Sequence, residues 1–573
     1  MASYPKSEKE DSFRSSRPKR RRFHGNRFTG EDNEPVGQGT SARKLETASQ
    51  EDVCVKLTHF YRIIEFVSVF AAISELAICK VCKRNLNFEE TGTRGLGFKI
   101  AVKCACGTRL IDSGPLRNTG YEINHRIIFA MRLLGIGLQG LNLFVSLMDI
   151  SKGLSKGTYD RVVQHIHECT KLVFDAMCLR VVEQEKKENE KRERPLLDFK
   201  VSGDESWKKR GFTSLYGVTT LIVSFNGKVI DLVVKSSYCQ PCIAWKGKEQ
   251  TEEFKNWYET HEEECSANHI GSADKMEVDS IKEMFSASER KYGVHYMNYI
   301  GDGDSKTFKA ILDLNPYGDE HVVVKSECVN HVEKRMGTRL RNIKKEKKLG
   351  GKGKLTNALI KKITKYYGLA IMRNSDSVED IQRNVMATYW HMVSTDENPK
   401  HENCPAGEDN WCKFRVAESR GLEYTHPPPL DATVAKYIFP IFEDLSRKDL
   451  LERCLGGHTQ NANESFNATV WRLVPKHLHC GRKIIEIAAW IAAGIFNEGY
   501  LSVLRIMSSM DITIGPVCRQ IASRNDENRT KSQERHSRSL GQPATKLVKQ
   551  QQLQRNELFE EEEELSYGAG IAD

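Results

Sequence analysis

The chain lacks any apolar run long enough to cross a bilayer. Its longest, Phe66 to Ile78, is broken by Ser68, Ser74 and Glu75 and falls short of the ~20 residues that a spanning helix needs. The first residues, Met1 to Phe13, lack an apolar segment, so no secretory signal peptide is expected. No stretch repeats with a period of roughly 20–50 residues. Nor does charge of one sign dominate: 86 Lys+Arg against 77 Asp+Glu leave a formal charge of +9. An excess that small says little about partners until its place in the chain is known.

What is present is a long, polar chain. Its 573 residues correspond to about four domains at roughly 150 residues each, tails included. Hydrophobic residues make up 39% and charged residues 28%, and the mean hydropathy is −0.52, as expected of a soluble protein with polar ends. With no secretory signal, the sixteen cysteines are expected in a reducing compartment, as metal ligands or buried thiols before disulfides.

Residues 1–45 lack apolar periodicity and carry the run Arg17-Pro18-Lys19-Arg20-Arg21-Arg22, which reads as a nuclear-import or nucleic-acid-binding tail; the plain alternative is a solvated tail. Residues 525–573 are polar, with five successive glutamates, Glu560 to Glu564, and are expected to be disordered like the first tail. Two cysteine pairs mark a zinc-ribbon-like module over 46–120. Residues 121–195 read as helices, the first two parted by Gly135 and Gly137, either a helix-turn-helix-like DNA-binding pair or an ordinary hairpin.

The hydrophobic period then changes. Phe199 to Asp204, Tyr216 to Phe225 and Lys228 to Lys235 read as three strands, the last two joined by Asn226-Gly227, the strongest short hairpin signal. A helix over about Lys275 to Arg290, a strand over Val294 to Ile300, a helix over Lys306 to Leu312 and a strand over His321 to Lys325 follow. The order β-β-β-α-β-α-β predicts an α/β core of ribonuclease-H-like topology over 196–328, with helices on a mixed sheet and an insert at 237–272. A helical basic insertion over 329–458 and a C-terminal part of the core over 459–524 complete it.

Such a sheet can gather carboxylates from distant parts of the chain, as two-metal phosphodiester chemistry requires. Asp204 ends the first predicted strand, Asp302 ends the fourth, and Glu464 opens a late helix. Each has a structural alternative. Asp204 can be a turn residue, Asp304 or Ser305 can cap the helix after the fourth strand, and Glu464 can be a first-turn acid behind an Asn461 cap. Of the two neighbouring aspartates, Asp302 is preferred and Asp304 is the alternative, since Asp304 already fits a cap.

Three stretches together resemble Mutator-like element transposases of the DDE class: Gly203-Asp204-Glu205-Ser206-Trp207-Lys208-Lys209-Arg210-Gly211, Asp302-Gly303-Asp304-Ser305 and Thr459-Gln460-Asn461-Ala462-Asn463-Glu464. A Cys-x2-His at Cys328 and His331 falls between the second aspartate and the glutamate, as in that group. The resemblance covers about residues 17 to 525. It implies a ribonuclease-H-like core with a helical insertion before the glutamate, Mg²⁺ or Mn²⁺ on the three carboxylates, and cleavage and strand transfer of double-stranded DNA at terminal repeats and target. A domesticated, non-mobile nuclear DNA-binding protein and a related nuclease are the competing readings. A nuclear homo-oligomer is expected, with no membrane and no small-molecule substrate.

Two further clusters have zinc spacing. Cys79-x2-Cys82 with Cys104-x-Cys106 supplies four thiolates, and Cys239-x2-Cys242 with His261-x3-Cys265 supplies three thiolates and an imidazole. The i, i+4 spacing is expected to put His261 and Cys265 on one helix face, with His269 competing for the fourth place. Cys328 and His331 are possible zinc ligands without clear partners; His401, Cys404 and Cys412 are further candidates. Finally, Lys334 to Lys365 concentrates thirteen basic residues, among them Lys344, Lys345, Lys347, Lys348, Lys352 and Lys354, around the single acid Glu346. Such a block is expected to lie against a DNA backbone.

Overall fold

A computed structural model describes residues 40–46, 53–117, 120–208, 214–301, 305–351, 353–407 and 411–537. The run Arg17 to Arg22, Asp302, Asp304, Lys352 and the glutamate run lie outside the described residues. Helices predominate, around a mixed sheet. One unit of the chain takes in 38–404 and 425–538. The other includes 405–424, in which Cys412 precedes a short helix, Lys413–Ser419.

The larger unit begins with a short helix, Thr40–Glu46, so residues 40–45 are helical and not part of a disordered tail; helix α1 (Phe66–Leu76) and an antiparallel sheet of β1 (Asn87–Arg94), β2 (Gly97–Cys104) and β3 (Gly107–Asp112) follow. Gly97 is obligatory here, because a Cβ would sit 2.1 Å from the Tyr121 ring. Helices α2 (Glu122–Leu133) and α3 (Leu138–Leu147) meet at 115°, within the ~90–120° of a helix-turn-helix. Yet α3 carries no Lys or Arg. Its Asn142 is committed to the backbone of Leu154, accepting from the N–H at 2.9 Å and donating to the carbonyl at 3.0 Å. No single helix among the described residues is long and apolar enough to cross a membrane.

Helix α4 (Lys156–Lys191) leads into β4 (Asp198–Trp207), β5 (Tyr216–Val223) and β6 (Val229–Ser236). After α5 (Glu252–His261) and α6 (Ala273–Tyr292) come β7 (His295–Gly301), α7 (Ser305–Leu314) and β8 (Val324–Glu327). The five strands lie in the order β8-β7-β4-β5-β6. β5 is antiparallel to β4 and β6, whereas β7 runs parallel to both β4 and β8. Alternate residues of β5 serve the two faces, as strand geometry requires: Val218 and Ile222 enter one core, Leu221 and Val223 the other, which also holds Met284 and Phe285 of α6.

Four further details differ from the sequence reading. β4 runs three residues beyond Asp204, so Asp204 lies within the strand and is no turn residue; its pairing to β5 continues to Trp207 opposite Gly217. The last strand is Val324–Glu327 in place of His321 to Lys325, because a turn through Gly318 to His321 occupies the start of the predicted segment. Asn461 is the first helical residue and Gln460 precedes it without a side-chain cap, so Glu464 does not sit behind an Asn461 cap. Helix α16 below continues to Ser537, so residues 525–537 are helical and not part of a disordered tail.

The insertion has its own core. Helices α8 (Val329–Glu346), α9 (Asn357–Arg373), α10 (Val378–Met392), α11 (Ala432–Leu445) and α12 (Lys448–Arg453) pack Val332, Met336, Leu340, Ile363, Tyr367, Ile438 and Phe442 together. The chain then returns to the sheet through α13 (Asn461–Leu473), α14 (Arg482–Glu498), α15 (Leu501–Ser509) and α16 (Pro516–Ser537). Buried Asn497 of α14 closes the start of β6 by bonding both the N–H and the carbonyl of Val229 at 2.8 Å.

Candidate functional site

Asp204 on β4 and Glu464 on α13 are 260 residues apart in sequence (464 − 204), and polar side chains of α13 join the two elements. Ser202 donates to the Asn463 amide oxygen at 2.9 Å, and the Asn463 amide donates back to the Ser202 carbonyl at 3.2 Å. The Gln460 amide donates to the carbonyl of Gly203. One turn after Glu464, Asn467 donates to Asp204 Oδ2 at 2.8 Å, and Trp471 Nε1 donates to Ser206 Oγ at 2.7 Å. Asn463 and Asn467 are spaced i, i+4, so they share one helix face. Glu464, one residue away from Asn463, is exposed at the helix start, where the N-terminal dipole favours a carboxylate.

β7 runs alongside β4 with Ile300 opposite Ser202. Its last residue is Gly301, after which the chain enters 302–304, where both candidate second aspartates lie outside the described residues. Glu205, the next residue on β4, is 93% buried, and both its carboxylate oxygens lack a hydrogen-bond partner. Burial, reinforced by Glu277, Asp204 and Asp274, pushes its acid up to about 9. It is therefore protonated at neutral pH. Sequence reasoning missed Gln460, Asn463, Asn467 and Glu205. The signal for the first three was a set of amides, at 460 just before a helix and at 463 and 467 within it, where the inward positions are otherwise apolar.

The cysteine clusters come together as their spacing predicts. Cys79, Cys82, Cys104 and Cys106 place their sulfurs within 4.8 Å of one another. Cys79 lies 3.6 Å from Cys104 and 4.0 Å from Cys106. The sulfurs of a tetrahedral zinc site with ~2.3 Å bonds would be ~3.8 Å apart. The first pair sits in a tight turn, where Lys83 N–H bonds the Cys79 carbonyl, and the second at the β2–β3 turn. The backbone N–H groups of Cys82 and Val81 pull the Cys79 thiol down to about 6, toward the thiolate that a metal requires.

Cys239, Cys242, His261 and Cys265 also converge within 4.8 Å. Cys239 is 3.2 Å from His261 Nε2, and Cys242 is 3.6 Å from Cys265. Burial opposes ionisation of Cys239, but the backbone N–H groups of Cys242 and Ser266 prevail and bring its thiol to about 6. The convergence is not made on one helix face. α5 ends at His261, a 3-10 turn spans Glu262–Glu264, and Cys265 is extended. His269 is no competitor: it contacts the Ser272 carbonyl at 3.1 Å and Asp279 at 3.3 Å. Both clusters can hold zinc.

Cys328 and His331 bond each other, which lowers the Cys328 thiol although burial opposes it. Among the described residues neither belongs to a group of three or more potential ligands. On α8, Val329, Val332, Met336 and Leu340 face the core, whereas Lys334, Arg341 and Lys345 fall on the outer face at i, i+7 and i+11. Lys344 donates to Asn357 at 2.7 Å and Lys347 pairs with Glu346 at 2.7 Å. Lys345, Lys348 and Lys354 are exposed.

No curated protein matches the chain significantly. The family model for Mutator-like transposases matches residues 58–412, a stretch that carries both four-ligand clusters, Asp204 and the whole five-stranded sheet, and ends before Glu464. Since that match covers more than half of the 573 residues, the chain belongs to the Mutator-like transposase family.

Proposed function

We propose that the chain is a DNA transposase whose catalytic carboxylates are Asp204, Asp302 and Glu464, with Asp304 as the alternative to Asp302. The observation that carries this reading is the amide clamp between α13 and β4. It ties the helix that carries Glu464 to the strand that carries Asp204, which supports a site drawing on carboxylates from distant parts of the chain. The strand order, with two antiparallel pairings followed by two parallel ones, supports a ribonuclease-H-like core. In the parallel register Ile300 stands opposite Ser202, and Asp302 and Asp204 each follow two residues later in the sequence.

When bound, a pair of Mg²⁺ or Mn²⁺ ions would activate the attacking oxygen and stabilise the leaving one. The chain's own part is to hold ionised carboxylates in place. Asn467 fixes one oxygen of Asp204, and Glu464 stands in the first turn of α13. The two cysteine clusters are structural zinc sites in this reading. The basic face of α8 lies along the DNA backbone, and Arg17 to Arg22 direct the protein to the nucleus.

The test is DNA cleavage by the full chain with Mg²⁺ or Mn²⁺. Asp204→Asn and Glu464→Gln should each lower the rate by orders of magnitude while DNA binding persists. Undiminished cleavage by Asp204→Asn removes the carboxylate set, and loss in Asp304→Asn with activity in Asp302→Asn moves the second position to Asp304.

A further inference from the structure

A third group of ligands lies in the helical insertion, remote in sequence from both cysteine clusters. His391 is in the last turn of α10, and His401 and Cys404 follow in the loop that leaves it. His401 Nδ1 lies 3.3 Å from His391 Nδ1 and 3.6 Å from Cys404 Sγ. A tetrahedral zinc ion with bonds of ~2.0–2.1 Å to nitrogen and ~2.3 Å to sulfur requires separations of ~3.3–3.4 Å between nitrogens and ~3.6 Å between nitrogen and sulfur. Both distances match edges of that tetrahedron. His401 is 2% exposed and Cys404 6%, so the two are removed from the water that would otherwise serve their polar atoms.

The other nitrogen of His401 shows why Nδ1 is the ligating atom. Its Nε2 lies 3.0 Å from Ser394 Oγ and 2.9 Å from His426 Nε2. His426 Nδ1 in turn lies 2.6 Å from Asp396 Oδ1. A chain from carboxylate through imidazole to imidazole holds the proton of His401 on Nε2 and turns the Nδ1 lone pair toward His391 and Cys404. Metal-bound histidines are commonly fixed in this way by a partner on the far ring nitrogen.

We propose that His391, His401 and Cys404 bind a zinc ion that fastens the loop after α10 to the end of that helix. The loop needs such a tie. From Val393 to Leu430 the larger unit offers no helix or strand of its own, and the far end of the loop returns to α10 through a bond from Leu430 N–H to the Met392 carbonyl at 2.8 Å. Two imidazoles and one thiolate suit Zn²⁺ among the common divalent ions. Three protein ligands leave one tetrahedral position for water or a further thiolate of the chain.

The site is independent of the carboxylate chemistry, so its test does not rely on cleavage. Zinc content of the purified full chain should fall by one equivalent in Cys404→Ser and in His391→Ala. Unchanged content in both would overturn the site. If either variant misfolds, His391→Cys decides, because it keeps a ligand at the position. After Co²⁺ replaces zinc, this variant should show the tetrahedral visible bands of the parent with stronger thiolate-to-cobalt absorption, since one more sulfur reaches a metal. An absorption identical to that of the parent would show that position 391 touches no metal and would also overturn the proposal.

Discussion

At the scale of single residues, β4 puts two acids side by side in opposite electrostatic states. Asp204 is half-buried and receives the Asn467 amide, whereas Glu205 is buried with nothing to solvate a charge. Asn467→Ala should therefore lower cleavage while leaving DNA affinity within about twofold, since it unfixes a carboxylate that the proposed chemistry needs oriented. Asn467→Gln should recover part of the rate; equal rates in all three proteins would separate Asn467 from the site. For Glu205 the prediction concerns stability. Its folded acid titrates near 9, and the unfolded one near 4.3. Between these values the folded state holds the extra proton, so stability falls as pH rises through the window. Glu205→Gln removes that dependence. Its melting temperature should exceed that of the parent by a margin that grows from pH 6 to pH 8.5. A constant margin would show that Glu205 ionises normally in the fold.

Elements were legible in the sequence where a local signal sets them. Asn226-Gly227 fixed the β5–β6 hairpin, with Gly227 at a φ of 62°, and the Cys-x2-Cys pairs located both four-ligand clusters. What the sequence hid depends on distant partners. β4 continues past Asp204 because β5 pairs with it as far as Gly217, a fact of the partner strand. The polar stretch 525–537 is helical because its neighbours anchor it: Asp526 accepts from Tyr500 N–H at 2.9 Å, and Arg529 donates to the Phe496 carbonyl at 2.9 Å. The amides of α13 read locally as an ordinary helix start, and their bonds to β4 appear only in the fold. The clusters give a prediction at this scale. Each closes a separate loop, so Cys82→Ser should cost about one zinc and loosen the β1–β3 sheet, and Cys242→Ser about one zinc and loosen the insert after β6. Metal analysis with limited proteolysis checks both. Loss of both metals from either single variant would show that the clusters are not independent.

For the molecule as a whole, charge is placed by the packing of the insertion. The block from Lys334 to Lys365 holds thirteen positive residues and one negative, a local +12 against +9 for the entire chain. The fold sorts these charges. Arg335 turns inward to Glu327 at 2.8 Å and Arg339 bonds Asp444, so both hold the insertion together. Lys344 and Lys347 are engaged by Asn357 and Glu346. Lys345 and Lys348 are exposed, and among the described residues no ion pair engages them. The block is therefore less available than its composition suggests, and the expected effect of mutation is smaller. Each phosphate neutralised on duplex DNA contributes about −0.9 to the slope of log K against log salt. Replacing all four of Lys344, Lys345, Lys347 and Lys348 with glutamine could flatten that slope by up to roughly 3–4 units if every one met a phosphate. With two of them held by protein partners, most of the change should come from Lys345→Gln with Lys348→Gln, at up to roughly 2 units. Phosphate contacts carry no sequence information, so the loss should be alike for unrelated duplexes. Affinities measured across a salt series for two unrelated sequences check this. An unchanged slope would make the outer face of α8 plain solvated surface, and a loss confined to one sequence would make it a reader of bases.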